Sequence, residues 1–225
     1  MDAADGFLLA AEGLRLRNIG NQPINLTVEP GERIGILGER GSGRGRLLRT
    51  LARLEVSAAG RIWWNGVNVT RRPRWLMSRA LRESVILIWE NPYVLFEQNL
   101  MVRQLVESEV HLVEAGLTPA ALDLKVSALS GLARVRLALA YAAQRRPKVI
   151  LLDDVFHHLA PTVWQEVTGV LASKVSGETA VVVASRYSSA LQAMERVLVV
   201  SNGDIIDCGA SGEVFPRIEP AHTAE

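Results

Sequence analysis

Several kinds of residue and segment are scarce in this chain of 225 residues, and each shortage excludes a class of protein. The single cysteine, Cys208, cannot form an internal disulfide, and its isolation fits a reducing compartment. No run of about 18 apolar residues occurs, so we expect no membrane-spanning helix. The acidic start MDAADGFLLAAEG lacks the long apolar stretch of a secretion signal. The net charge of +1 gives no reason to expect binding to a polyanion, so we predict no nucleic-acid partner.

Apolar sequence is plentiful, since 48% of the residues are hydrophobic, which is enough for the core of one α/β domain. Short β-rich apolar runs alternate with helical patterns, and this predicts a mainly parallel sheet covered by helices on both faces. The expected buried strands are 33–37, 84–92, 148–154 and 179–185. The expected helices are 46–54, 97–127 with a break at 116–119, 132–144, 162–175 and 188–196.

Turn signals and short apolar stretches predict an antiparallel part as well. Residues 7–29 indicate antiparallel strands, and an Asn-Gly pair marks a hairpin over 60–70. A second Asn-Gly pair, at 202–203, separates two closing strands. The polar, proline-containing end, 216–225, is expected to be a flexible tail.

The segment GERGSGRGR has the outline of a phosphate-binding loop between a strand and a helix. Gly38 and Gly43 match the glycines of the pattern G-x-x-x-x-G-K-[ST]. Arg44 replaces the lysine and keeps its charge, although arginine is not a neutral replacement for lysine in a packed site. Gly45 replaces the hydroxyl residue and offers no ligand to magnesium. The candidate nucleotide-binding residues of this loop are Gly38, Arg40, Gly41, Ser42, Gly43, Arg44, Gly45 and Arg46.

This loop admits two interpretations. The backbone N–H groups of 41–43 could still cradle phosphates at the start of a helix. In that case the arginines at 40, 44 and 46 could hold an anion or pair with carboxylates of a partner. In the other interpretation, the loop is an inherited turn whose arginines are simply solvated.

Four motifs follow one another in an order that resembles one known family across nearly the whole chain. They are the loop at 38–46, VILIWENPYVLFEQNLMVRQLV, LSGLARVRLALAYAAQRRPKVILLDD and AVVVASRYSSAL. The family is the ATP-binding cassette of ABC transporters, and the motifs look most like cassettes of oligopeptide, dipeptide and nickel importers. The resemblance implies one α/β cassette of P-loop NTPase-like fold over 1–225. It also implies a mainly parallel sheet, an antiparallel β subdomain and a shortened helical subdomain at about 92–140.

The resemblance assigns roles to four residues of the catalytic machinery. Asp153 matches the magnesium-associated carboxylate, and Asp154 replaces the glutamate that orients the attacking water. Aspartate is one methylene shorter, and a misplacement of roughly 1 Å can cost on the order of 100-fold in rate. Glu90 replaces a glutamine that helps to bind magnesium, where a carboxylate could still coordinate a metal. Arg186 replaces the switch histidine, so it could contact phosphate or form an ion pair across an interface, but it cannot relay a proton near neutral pH.

The family signature L-S-G-G-Q is altered in this chain. Its positions hold Leu129, Ser130, Gly131, Leu132 and Ala133. In the family this segment closes on the ATP that the opposite subunit holds. The side chain of Leu132 would project where the γ-phosphate must approach, so we expect an impaired lid. Ser130 could instead act only as a helix cap, which needs no nucleotide.

Tyr93, Leu95 and Phe96 keep the shape of the surface that contacts a transmembrane partner in the family. We predict that this docking surface is retained. The alternative is that the three side chains only fill the core.

Other family features are missing altogether. No aromatic residue lies between Phe7 and Gly38 to stack on adenine, and such stacking is worth about 1–3 kcal/mol in nucleic-acid sites. Ala160 replaces an aspartate that crosses the dimer interface. The adjacent histidines at 157–158 have no spaced ligands beside them, so we predict no metal site there.

Since every route to hydrolysis is impaired while the core pattern is intact, the sequence predicts a stable fold kept for a non-catalytic role. The expected function is a pseudo-ATPase subunit that pairs with another cassette, as a homodimer or heterodimer, and docks on a transmembrane permease or another complex subunit. It would be cytoplasmic, at the inner face of the cell membrane, with weak or absent binding of ATP and magnesium. The alternatives are a divergent importer ATPase that uses Arg44 and Asp154, and a module that senses an anion through its arginines.

Overall fold

Ten strands in two sheets form the frame of the fold, and the computed structural model describes residues 6–89, 95–155, 159 and 178–222. In the order of the chain, the strands are β1 (Leu9–Arg15), β2 (Ile24–Val28), β3 (Arg33–Leu37), β4 (Ala59–Trp64), β5 (Val67–Asn68), β6 (Val85–Ile88), β7 (Val149–Asp153), β8 (Ala180–Ser185), β9 (Arg196–Ser201) and β10 (Asp204–Ala210). The described α-helices are α1 (Arg44–Leu51), α2 (Arg79–Ser84), α3 (Glu109–Glu114), α4 (Gly131–Ala143) and α5 (Ser211–His222).

The larger sheet has six strands in the order β10-β9-β3-β8-β7-β6. All of its pairs are parallel except β10 with β9. Every residue of β7 and β8 is buried, as expected for central strands that are covered on both faces. The predicted mainly parallel sheet is therefore confirmed.

The smaller sheet is antiparallel, with the order β2-β1-β4-β5. Its hairpin turns at Asn65 and Gly66, whose φ angles are 48° and 74°. Two successive positive φ angles are typical of the tight turn that matches the twist of paired strands. The hairpin predicted over 60–70 is confirmed, and so is the turn between β9 and β10.

Two apolar clusters lie on the two faces of the large sheet. Alternate residues of β8 supply both, because Val181 and Val183 belong to the cluster beside α4 while Val182 and Ala184 belong to the cluster shared with the small sheet. Helix α1 contributes Leu47, Leu48 and Leu51 to the second cluster. Helix α1 thus packs in the cluster that both sheets share.

The helical part of the chain differs from the sequence prediction in several places. Only α3 and three short 3-10 turns occur within 97–127, with the predicted break at Gly116, whose φ is 81°. Within 188–196 the structure has one short 3-10 turn instead of a helix. Helix α2 was not predicted; it begins where the Ser78 hydroxyl accepts a hydrogen bond from Leu81 N at 3.2 Å. The helix predicted at 162–175 lies outside the described residues.

Helix α5 continues to His222, past residue 216 at which we expected a flexible tail to begin. Val214 and Phe215 are buried against the core at its first turns, and this packing fixes the helix in place. Nowhere in the described parts of the chain is there a helix with both the length and the apolar character needed to cross a membrane.

Candidate functional site

A cavity of about 280 Å³ opens at the carboxyl ends of the parallel strands, beside the glycine-rich loop. Open α/β sheets commonly bind ligands in this position. Among the residues that the structure describes, five arginines and two aspartates carry the charge of its wall. The lining residues are Asn18, Ile19, Arg40, Gly41, Gly43, Arg44, Gly45, Arg46, Arg49, Asp153, Asp154 and Arg186.

Arg44 is folded back onto its own loop. Its Nη1 atom donates to the carbonyl oxygens of Gly38 at 2.6 Å and Glu39 at 2.7 Å. Its Nη2 atom forms an ion pair and hydrogen bond with Asp154 Oδ2. The side chains of Arg44 and Asp154 are only 9% and 5% exposed, so this ion pair is buried. The residue in the place of the phosphate-binding lysine is therefore bound to the residue in the place of the water-orienting glutamate.

A second ion pair fills the space next to Gly45. Arg49 Nη1 lies 3.3 Å from Asp153 Oδ2, and Arg49 Nε donates to Glu55 Oε1 at 2.6 Å. A Cβ atom built on Gly45 would lie 2.8 Å from Asp153 Oδ2 and 3.0 Å from Arg49 Nη1. Such distances are shorter than van der Waals contact, so a serine or threonine at Gly45 would displace this pair.

The residues at the loop do not fit a magnesium ion bound as in a working phosphate loop. Position 45 carries no hydroxyl, and both Asp153 and Asp154 are engaged by arginines. Within the described ranges, no three His, Cys, Asp or Glu side chains cluster as metal ligands would. Two buried atoms, Arg44 Nε and Asp154 Oδ1, lack a hydrogen-bond partner in the part of the chain that the structure describes. Both residues line the cavity, and buried polar atoms without a protein partner are commonly satisfied by water.

The remaining arginines of the cavity differ in the contacts that their side chains make. Arg46 Nη1 donates to the carbonyl oxygen of Arg17 at 2.7 Å, and its Nε lies 3.4 Å from a carboxylate oxygen of Glu55. Arg186 donates to the hydroxyl of Tyr187 and stacks on the same ring at 4.6 Å. Arg40 is exposed at the mouth of the cavity. The ion pair across an interface proposed for Arg186 stays a prediction.

Asn18 and Ile19 also line the cavity, although the sequence analysis did not single them out. Ile19 Cδ1 lies 3.3 Å from the position that a Cβ atom on Gly43 would take, so it borders the loop directly. The part of the wall that the structure describes contains no aromatic ring. No motif in the sequence pointed to Asn18 or Ile19.

The altered signature segment lies at the start of α4. Ser130 is the N-cap residue, and its hydroxyl accepts a hydrogen bond from Ala133 N at 3.2 Å. Leu132 is partly buried and packs against the core, while Leu129 is buried and Gly131 opens the helix. The capping role of Ser130 is thus present, and the impaired lid over the nucleotide of an opposite subunit stays a prediction.

Leu95 and Phe96 are partly buried against the core beside α4. The Phe96 ring meets the Tyr141 ring edge-to-face, with 5.1 Å between their centroids. These two side chains therefore contribute to packing, as the alternative interpretation expected, and docking on a transmembrane partner stays a prediction. Other predicted positions lie outside the described residues: Glu90, Tyr93, His157, His158 and Ala160.

The sheets, the loop before α1 and the cavity at the strand ends together define a P-loop cassette. Comparison with known families agrees: the ABC transporter family model matches residues 21–157, more than half of the chain. The chain belongs to the ABC transporter family.

Similar sequences include three proteins named for import. The probable sulfate/thiosulfate import ATP-binding protein CysA of Chlorella vulgaris is 30% identical, over 85% of this chain and 85% of that protein. The thiamine import ATP-binding protein ThiQ of Haemophilus influenzae is 31% identical, over 80% of this chain and 88% of that protein. The methionine import ATP-binding protein MetN of Xylella fastidiosa is 28% identical over 89% of this chain, which spans 64% of that longer protein.

Solved structures share the fold at low sequence identity. cbiO1 from Clostridium perfringens, part of the ABC transporter complex cbiONQ, superposes with a TM-score of 0.79 at 23% identity, covering 97% of this chain and 94% of that chain. The dimeric cassette MJ0796 bound to ADP and Pi gives a TM-score of 0.78 at 18% identity, covering 90% of this chain and 98% of that chain. The predicted cassette fold is confirmed, whereas the narrower likeness to oligopeptide, dipeptide and nickel importers is not.

Proposed function

We propose that this chain is a pseudo-ATPase cassette of an ABC-transporter-like complex. It pairs with a competent cassette or another partner and docks on a membrane protein at the cytoplasmic face of the membrane, with little or no ATP hydrolysis of its own. The observation that carries this proposal is the buried ion pair between Arg44 and Asp154. It joins the two positions on which phosphate binding and water activation depend in the family.

The ion pair opposes both steps of hydrolysis. To reach a phosphate, the Arg44 guanidinium would have to leave Asp154 and the two loop carbonyl oxygens that it now binds. Breaking a buried ion pair typically costs about 3–5 kcal/mol. If that cost enters the activation barrier, it slows the reaction by roughly 100- to 5000-fold, because each 1.4 kcal/mol is a factor of ten. The side chain of Asp154 is also shorter than that of glutamate, and it is already paired with the Arg44 guanidinium.

The transport context is supported by the relatives. CysA, MetN and ThiQ are named as import proteins, so we propose an importer as the complex in which this chain acts. cbiO1 is part of a transporter complex and MJ0796 forms a dimer, which supports a second cassette and a membrane component as partners. The likeness of the motifs to oligopeptide, dipeptide and nickel importers is the narrower form of this proposal.

The test is ATP turnover by the purified chain in the presence of magnesium, measured beside a competent cassette. We expect phosphate release at the background level, and no difference between the wild-type protein and Asp154→Asn. Turnover above background that is lost in Asp154→Asn would overturn the proposal and favour a divergent but active importer ATPase.

A second candidate function rests on the charge of the cavity, where arginines outnumber aspartates five to two among the described lining residues. Such a cavity could sense an anion without a metal ion, in a regulatory role. This candidate predicts calorimetric binding of inorganic phosphate in the presence of a chelator, with loss of binding in Arg44→Ala. Unchanged heats on adding phosphate would exclude it.

A further inference from the structure

A strongly basic segment lies well apart in the sequence from the cavity residues. Between residues 71 and 82 the chain has five arginines and no acidic residue. The same segment exposes two large apolar side chains, because Trp75 is 76% and Leu76 is 57% exposed. We call this the basic-aromatic patch; its members are Arg71, Arg72, Trp75, Leu76, Arg79 and Arg82. Exposed apolar surface of this kind, bordered by arginines, indicates a surface that binds a partner.

The turn that carries the two apolar side chains is anchored at both ends. Arg74 Nη1 donates to the carbonyl oxygen of Ala52 at 2.6 Å, and its guanidinium stacks on the Trp64 ring at 5.4 Å. Met77, on the other side, is 3% exposed. Because the anchors point inward, the intervening Trp75 and Leu76 are held facing outward rather than folded onto the core. The exposure of Trp75 and Leu76 therefore follows from the conformation of the turn.

The positive charge of the patch is largely uncompensated. Arg79 pairs with Glu83 at 3.0 Å, but Arg71, Arg72 and Arg82 have no carboxylate partner in the described part of the chain. Burial lowers the pKa of Arg74, and the neighbouring charges of Arg82 and Arg53 lower it further. Cations thus crowd this region and would be stabilised by an anionic partner.

We propose that the basic-aromatic patch binds an anionic lipid surface. Trp75 and Leu76 would enter the headgroup region, where amphipathic tryptophan rings are favoured, while the arginines contact lipid phosphates. A lipid surface fits better than a helix of a partner protein, because Trp75 and Leu76 do not line the neighbouring groove formed by Leu54, Arg82 and Trp89. The inference stands whether or not the chain hydrolyses ATP.

Flotation with vesicles tests the proposal on the full chain. We expect the protein to float with vesicles of phosphatidylcholine containing 30% phosphatidylglycerol, and not with phosphatidylcholine alone. Each arginine near an anionic surface is worth about 1 kcal/mol, so Arg71→Ser/Arg72→Ser should lower the partition coefficient roughly 30-fold. The variant Trp75→Ser/Leu76→Ser should lower it by about tenfold or more, even at low salt.

The matched control is Arg15→Ser/Arg17→Ser, which removes the same charge from two exposed arginines outside the patch. We expect its partition coefficient to fall less than threefold. A wild-type protein that stays unbound with the anionic vesicles would overturn the proposal, and so would an equal loss in the control. Binding to a short RNA duplex that needs Arg71 and Arg72, without binding to vesicles, would assign the patch to nucleic acid instead.

Discussion

At the scale of single residues, the contacts of the Arg44 side chain define the candidate site. The sequence shows that it replaces a lysine, but not where its longer side chain goes. The structure shows the guanidinium bound to its own loop and to Asp154, which lies 110 positions further along the chain. A local pattern cannot predict such a pairing, because it depends on how the sheet brings the loop and the end of β7 together. The exchange of two family residues therefore produces one buried ion pair.

The ion pair makes a prediction for stability. Asp154→Asn keeps the shape and the left-handed backbone preference that the φ of 48° demands, but it leaves the buried Arg44 charge uncompensated. We expect the free energy of unfolding to fall by about 3–5 kcal/mol, measured by urea denaturation. In the control variant Asp207→Asn, which breaks an exposed pair with Arg217, the loss should stay below about 1 kcal/mol. Equal losses in the two variants would contradict the buried pairing.

At the scale of elements, the sequence predicted strands better than helices. The strands of the six-stranded sheet could be predicted because they are short apolar runs, several of which end at glycine, proline or carboxylates. The segment 97–127 was harder, because apolar and acidic residues mixed at helical spacing also fit a series of short turns. There, the packing of Val102, Val106 and Leu112 against the core decides the conformation, and local propensity does not.

A substitution at the start of α4 tests whether Ser130 of the altered signature segment acts as a helix cap. The Ser130 hydroxyl accepts a hydrogen bond from Ala133 N as a helix cap. Ser130→Ala should therefore lower the free energy of unfolding by about 1 kcal/mol. Ser108→Ala is the matched control, because Ser108 precedes α3 without a side-chain capping bond. We expect almost no change there, and a Ser130→Ala protein as stable as wild type would contradict the capping role.

At the scale of the whole molecule, the chain keeps the architecture of an ABC cassette around a changed centre. The family, the two sheets and the loop between strand and helix could be recognised from motifs in order. The positions of Asn18, Ile19 and Arg49 in the wall of the cavity could not be predicted from the sequence. They follow from the three-dimensional packing of the chain and not from any motif. Two apolar clusters of buried residues pack against the two faces of the large sheet, so we expect the fold to be stable without nucleotide.

The most direct test of the central claim is equilibrium titration of the purified chain with a fluorescently labelled ATP analogue, with and without Mg²⁺. Because Arg44 is already paired and Gly45 offers no magnesium ligand, we predict no saturation at micromolar concentrations and no gain in affinity on adding magnesium. Saturable micromolar binding that requires magnesium would contradict the account.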